Sequence, residues 1–243
     1  MHQVESPFGP GCVGYITGEL SRFSRHHKSM MRLMVPIGTT FAWQEGNKFA
    51  DGRNIVTREM MRTDAEWLFF MDDDHTFAPD VLMRLLAHEV DVVQPLVATR
   101  KPPFFPYAYR KKIVGLGYVS KDWKGLGTTQ GLIEVDASAC GGMLVRRKVL
   151  ESITYPWFCE GQCGEGPGED FYFSEQARNN GFRCWVDTGT RMGHISLHEV
   201  WPDWRPDSGD PDCGEWGVAL VMDHGLAARL PCDFGRKSLG VQT

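Results

Sequence analysis

Residues 67–71, WLFFM, form an unbroken apolar run that ends in three acidic positions, Asp72, Asp73 and Asp74. A short run of that kind, bounded by polar residues, reads as a strand buried on both faces. Upstream, 12–17 (CVGYIT) reads as a first strand ending at Gly18, and 32–42 (RLMVPIGTTFA) as a second, interrupted by Pro36. The polar stretch 44–52 reads as a loop. Residues 53–63 (RNIVTREMMRT) follow as a helix with Val56 and Met60 on one apolar face. Beyond the aspartates, Pro79 suits the first turn of a helix whose Leu82, Leu85 and Leu86 form a buried stripe. VDVVQP at 90–95 is the next strand. Strand, helix, strand, helix, strand at these spacings predicts an α/β fold with a mostly parallel central sheet flanked by helices.

After residue 100 the pattern changes. RKPPFFPYAYRKK, rich in proline and aromatic residues, predicts an irregular lobe over a cleft. LIEVDASACGGMLVRRKVLESI predicts a strand, a Cys-Gly-Gly turn and a short helix. A helix is expected from about Glu169 to Asn180, with acidic residues in its first turn and Gly181 as its stop. A strand at 183–187 comes next, and 199–217, with its prolines, glycines and Trp201, predicts an irregular flap. No internal repeat interrupts the 243 residues, which are expected to form one domain.

Composition narrows the partners. The formal net charge is -5 and the pI about 5.9, which argues against a broad basic surface for nucleic acid. The basic clusters YRKK (109–112) and RRK (146–148) keep a local DNA contact open, although solvated surface charge accounts for both. No apolar stretch is long enough to span a membrane, and the start, MHQVESPFGPGC, lacks the pattern of a signal peptide. A cytoplasmic protein without membrane insertion is therefore expected. Seven cysteines, an odd number without an export signal, point to reduced thiols rather than a disulfide framework. Cys159 and Cys163 stand one residue further apart than a CxxC pair, and zinc there would need Cys184, Cys213 or a histidine to join them.

In an open parallel sheet the ligand cleft lies beyond the carboxyl ends of the strands, which is where Asp72, Asp73 and Asp74 are placed. Three carboxylates together repel one another, so a divalent cation is the simplest compensation. Oxygen ligands favour Mg²⁺ or Mn²⁺, with coordination positions left for a substrate's phosphates. The plainer account has the aspartates solvated at the cap of the helix behind Pro79.

Arg53-Asn54, FFMDDD, ACGGMLVRR, Gly168-Glu169-Asp170 and Gly193-His194 follow one another across residues 12–198. In that order they resemble the glycosyltransferases of the GT-A fold, in particular those of family 2. The short chain is similar to phage and bacterial stand-alone transferases. The resemblance implies metal-dependent transfer of a sugar from a nucleoside-diphosphate donor, with a UDP-sugar favoured, to an acceptor hydroxyl on a glycan, a protein or a modified DNA base. It implies a nucleotide-binding half at 12–100, an acceptor and catalytic half at 101–198, and a flap and tail at 199–243. Mn²⁺ or Mg²⁺ would be held by Asp74 and His194, with Asp72 reaching the metal, a metal-bound water or the ribose, and Asp73 beside the donor. His198 competes with His194, and His75 is expected to point elsewhere. Asp170, beside Glu169, would take the acceptor's proton in an inverting reaction, or bind sugar or acceptor in a retaining one. Helix-dipole stabilisation is the plainer role of both.

Arg53 and Arg100 are candidates for the donor's phosphates or base, since a guanidinium engages phosphate oxygens through parallel hydrogen bonds. Gly141 and Gly142 would let main chain approach a sugar closely. YITGEL departs from the family's usual first turn, and Thr17 and Glu19 stand where the family binds the nucleotide base. The competing functions are a metal-dependent phosphoryl-transfer or hydrolytic enzyme and a non-catalytic nucleotide- or carbohydrate-binding protein.

Overall fold

The computed structural model describes residues 1–18, 24–46, 48–112, 117–161, 168–196, 199–207, 210–222 and 225–231. The chain opens with β1 (His2–Val4), β2 (Cys12–Thr17) and α1 (Ser24–Arg32). β2 is buried at every position, as its apolar run requires. Helix α1 was not expected, because its sequence SRHHKSMMR buries only His26 and Met30 and so gives little apolar periodicity. Residues 32–42 form two strands rather than one, β3 (Met34–Pro36) and β4 (Thr40–Glu45), separated by a turn in which Gly38 has a φ of 84°. Helix α2 (Phe49–Met61) begins inside the stretch expected as a loop and buries Arg53, Asn54, Val56 and Met60.

Strand β5 (Trp67–Asp72) is the apolar run, followed by β6 (His75–Phe77), α3 (Val81–Ala87) and β7 (Val92–Leu96). The proline-rich lobe is largely irregular, with a small hairpin of β8 (Tyr109–Lys111) and β9 (Tyr118–Ser120). Then come β10 (Leu132–Val135), β11 (Leu144–Arg146), α4 (Arg147–Ser152) and α5 (Glu169–Asn179). The strand expected at 183–187 is the first part of the longer β12 (Cys184–Ile195). The expected flap is instead an antiparallel meander, β13 (Glu199–Asp207), β14 (Asp210–Met222) and β15 (Gly225–Pro231).

Among the described residues the main sheet runs β15-β14-β13-β12-β7-β11-β5-β2-β4, with β6 and β10 each paired to β12. β4, β2 and β5 are parallel, as are β7 and β12, whereas β11 lies antiparallel between β5 and β7. The α/β architecture holds, and the sheet is mixed. β5 alternates its side chains between two cores. Leu68 and Phe70 pack with Val56 and Met60 of α2 and Phe173 and Ala177 of α5. Trp67, Phe69 and Met71 pack with Leu82, Leu85 and Leu86 of α3. Both faces are covered, which is why the run reads as continuously apolar.

Cys12, Cys140 and Cys184 are free, whereas Cys159 is disulfide-bonded, which corrects the expectation of reduced thiols at that position. Cys163 lies outside the described residues. No helix among the described residues is long and apolar enough to cross a membrane.

Asn54 joins the two halves of the fold. Its Oδ1 accepts from the main-chain N–H groups of Trp157 and Phe158, both at 3.1 Å, and its Nδ2 donates to Phe158 O at 2.8 Å. Replacement by alanine strands main-chain groups that are shielded from water. Asn54→Ala is therefore expected to lower stability by about 2–4 kcal/mol, read as a lower urea midpoint at unchanged slope. A loss under about 0.5 kcal/mol, the range of an ordinary surface change, would contradict the assignment.

Candidate active site

Asp72 ends β5, Asp74 precedes β6, and His194 lies near the end of β12. Arg53 comes from α2, and Glu169 and Asp170 from the first turn of α5. Asp72, Asp74, Asp170, His194, Arg53 and Arg100 all line one cleft. This is the carboxyl end of β2 and β5, where a parallel sheet leaves room for a ligand.

The guanidinium of Arg53 is the best-connected group in the cleft. Nη1 and Nη2 meet the two oxygens of Asp72 at 2.9 and 3.0 Å, and Nε meets Glu169 Oε1 at 3.2 Å. Burial would lower its pKa, but the facing Asp72 carboxylate, with Glu169 beyond it, raises it well above the ordinary value. Arg53 was expected at the donor's phosphates or base; its fork is directed at these two carboxylates. Asp72, expected among the metal ligands, faces Arg53 instead.

Among the described residues the group with metal-ligand spacing is Asp74, His75 and His194, whose donor atoms all lie within 4.8 Å of one another. His194 Nε2 is 3.2 Å from Asp74 Oδ2, and His75 Nε2 is 3.6 Å from Asp74 Oδ1. His75 thus turns inward, against expectation. Burial and the neighbouring His194 push its pKa down to about 4, so the ring is neutral near pH 7, as a metal ligand must be. Against the cost of burial, His194, His75 and Arg100 hold the Asp74 carboxyl well below the usual range. Two imidazoles and one carboxylate are a donor set that fits a divalent cation. Arg100 approaches the same carboxylate from the solvent side, with Nη1 2.9 Å from Oδ2.

Glu169 and Asp170 are adjacent yet differently placed. Glu169 is tied to Arg53, whereas Asp170 accepts a hydrogen bond from the Phe171 N–H at 2.9 Å and otherwise faces the cleft. Burial, then the negative charge of Glu169, push its pKa up to about 7, with Arg53 working the other way. Such a carboxyl is matched to proton transfer near neutrality.

The remaining candidates divide. Asp73 is half-buried and accepts from the Gly18 N–H at 2.9 Å. Thr17 ends β2 with a relative exposure of 2%, and Glu19 and His198 lie outside the described residues. Gly141 lines the cleft. Gly142, at a φ of 93°, packs against Met192 and not against open space, since a Cβ there would stand 2.7 Å from its sulfur. Trp201 is on β13, where its indole donates to Glu199 Oε1 at 2.7 Å. The cleft residues missed in the sequence are His75, Phe49, Tyr107, Ala139 and Cys140. For His75 the available signal was its place next to the acidic run; nothing marks the two aromatics apart from core residues.

Residues 39–154, a little under half of the chain, match the family model for Glycosyl transferase family 2. The chain is a glycosyltransferase of the GT-A fold. Its structure is similar to that of A197 from STIV, at 18% identity and a TM-score of 0.56, over 88% of this chain and 96% of that one. That likeness concerns the fold. A structure of S. aureus TarS in complex with UDP-GlcNAc aligns over 72% of this transferase and 55% of that protein, at 14% identity and a TM-score of 0.42, too weak a likeness to carry an argument. No curated protein matches the sequence significantly. The family match spans Arg53, Asp72, Asp74 and Gly141, and ends before Asp170 and His194.

The raised Asp170 value makes stability depend on pH. Between the ordinary carboxylate pKa of 3.8 and about 7 the folded protein holds a proton that the unfolded chain has released. The stability contributed by this group is complete below that window and is lost as pH rises through about 7. Glu169, Arg53, Tyr107 and Tyr109 are the charged and titratable groups that share this environment. Asp170→Asn, which cannot ionise, should therefore be more stable than the native chain at about pH 8, with the advantage gone by about pH 4. Urea midpoints at the two pH values check this, and a difference that does not change with pH would contradict it.

Proposed function

We propose that this transferase moves a sugar from a nucleoside-diphosphate donor, with a UDP-sugar favoured, onto an acceptor hydroxyl with inversion at the anomeric carbon. The observation that carries the reading is that one cleft gathers two kinds of group. It is lined by Asp74 and His194 beside Arg100, and also by Asp170 with its raised carboxyl.

In this reading Asp170 removes the acceptor hydroxyl's proton as the oxygen attacks, and its pKa near 7 lets it do so at neutral pH. Glu169 keeps a negative charge beside it, held in place by Arg53. Arg53 is a positioning residue. Arg100, whose side chain is half-exposed, is free to turn from Asp74 to a donor phosphate through its guanidinium edge. Asp74 and His194 would hold a divalent cation, Mn²⁺ or Mg²⁺, and Asp72 and Asp73 would border the donor. When bound, such a cation supplies positive charge to the diphosphate as the glycosidic bond breaks. Acceptors compatible with this chemistry are hydroxyl groups of a glycan, a protein or a modified DNA base.

The test separates binding from turnover. Asp170→Asn keeps the shape of the side chain and removes its basicity, so donor affinity by calorimetry should stay within a factor of about two while transfer falls by about 10²–10⁴. The native rate should rise through about pH 7, and that rise should disappear in the variant. Near-native turnover would remove Asp170 as base, and loss of donor affinity alongside turnover would place it in the donor pocket instead.

A further inference from the structure

His75 and His194 stand directly opposite one another where β6 pairs with β12, with ring centroids 4.6 Å apart. Each ring turns its Nδ1 to a main-chain carbonyl, His75 to Gly193 O at 3.2 Å and His194 to Ala98 O at 3.0 Å. A carbonyl oxygen only accepts, so each Nδ1 carries the ring's proton. In a neutral imidazole that leaves Nε2 as a bare lone pair. Both of these lone pairs face the two oxygens of one carboxylate, Asp74. Two imidazole nitrogens and one carboxylate therefore converge where both rings are buried, with Arg100 reaching the carboxylate from the solvent side. A single proton bridges one of the two nitrogen–oxygen pairs, whereas a divalent ion serves all three groups at once.

The surroundings leave space beside His75 Nε2 and fix the His75 main chain. A Cβ on Gly141 would stand 2.3 Å from His75 Nε2 and 3.0 Å from Asp72 Oδ2, so any other residue would fill space within metal-bonding distance of the imidazole. His26 donates from Nδ1 to His75 O at 2.7 Å, which holds the main chain of His75 from the side away from the cleft. Carbonyl partners on Nδ1 are the usual outer support for an imidazole that binds metal through Nε2.

We infer that His75 is a third protein ligand, completing a centre of two imidazoles and one carboxylate with Asp74 and His194. We infer further that this donor set selects transition-metal cations over Mg²⁺ and Ca²⁺. Magnesium favours oxygen ligands and retains its waters, whereas imidazole nitrogen favours the later first-row ions, so the expected order is Mg²⁺ weakest, then Mn²⁺, then Co²⁺ and Zn²⁺. This rests on the metal-dependent reading above and decides between the two cations named there.

The test uses the full chain and metal alone, without nucleotide or acceptor. Titration of the native protein with Co²⁺ should show one site, with visible absorption bands displaced and intensified relative to the hydrated ion by nitrogen ligation. Mg²⁺ in about 100-fold excess should not displace it. His75→Asn, which keeps a donor for Gly193 O, should weaken Co²⁺ binding by about 100-fold or more. Gly141→Ala keeps all three ligands and crowds His75 Nε2, and should weaken Co²⁺ binding as well. Far-UV circular dichroism shows whether each variant is folded. Displacement of Co²⁺ by equimolar Mg²⁺, a spectrum like that of the hydrated ion, or native affinity in folded His75→Asn would each overturn the inference. Because the native competition needs no variant, it decides even if both substitutions unfold the chain. Normal Co²⁺ ligation in a protein that transfers no sugar would instead count against the transfer reading alone.

Discussion

One buried guanidinium organises the cleft. Arg53, on α2, lies between Asp72 at the end of the neighbouring β5 and Glu169 at the start of α5, and it joins these two consecutive elements to a helix 116 residues further on. Removing one partner of such a buried arrangement typically costs about 3–5 kcal/mol, because the charges left behind have no water to turn to. The arrangement has chemical consequences as well. Asp72 is occupied by Arg53, which leaves Asp74 as the carboxylate beside the histidines. Glu169 keeps its charge next to Asp170, and that charge is the second cause, after burial, of the raised Asp170 pKa. Asn54, the next residue on the same helix, pins the main chain at 157 and 158. The Arg-Asn pair therefore fixes the half of the chain carrying the proposed base against the half carrying the aspartates.

Strand β12 provides the other long-range tie. It runs parallel to β7 up to Asp187, shifts register before Arg191, and then pairs with β6 and β13. This change of partner brings His194 opposite His75, although the two are more than a hundred residues apart in the chain. Trp201 and Glu199 of β13 close the far side, with Arg25 of α1 bonded to Glu199 at 2.7 Å.

Much of the fold could be read from local pattern, and so could part of the site. WLFFM, CVGYIT and VDVVQP are buried strands whose apolar runs announce them, and the leucine stripe of α3 and the acidic first turn of α5 were equally plain. Where the pattern failed, the deciding contacts were distant or the local signals conflicted. Gly52 and the polar residues around it disguised the first turn of α2. The prolines of 199–217 argued against strands, yet beyond Val200 the pairings of β13 are with β14, on one side, and a proline's missing N–H is tolerated on an unpaired edge. Asp72 and Asp74 stood out at the end of an apolar strand, and the resemblance to family 2 named them together with Asp170 and His194. The partners that give them their properties, Arg53 as a clamp and His75 across from His194, arise from tertiary pairing and leave no periodic trace.

The central claim is that the clamp leaves Asp170 to activate an acceptor that attacks the donor sugar on the face opposite its leaving diphosphate. Such an attack inverts the anomeric carbon. Proton NMR of the first sugar released from a UDP-α-sugar, with water as the acceptor and recorded before mutarotation, tests this without knowledge of the natural acceptor. The account predicts that the β-anomer forms first. Initial release of the α-anomer would contradict it.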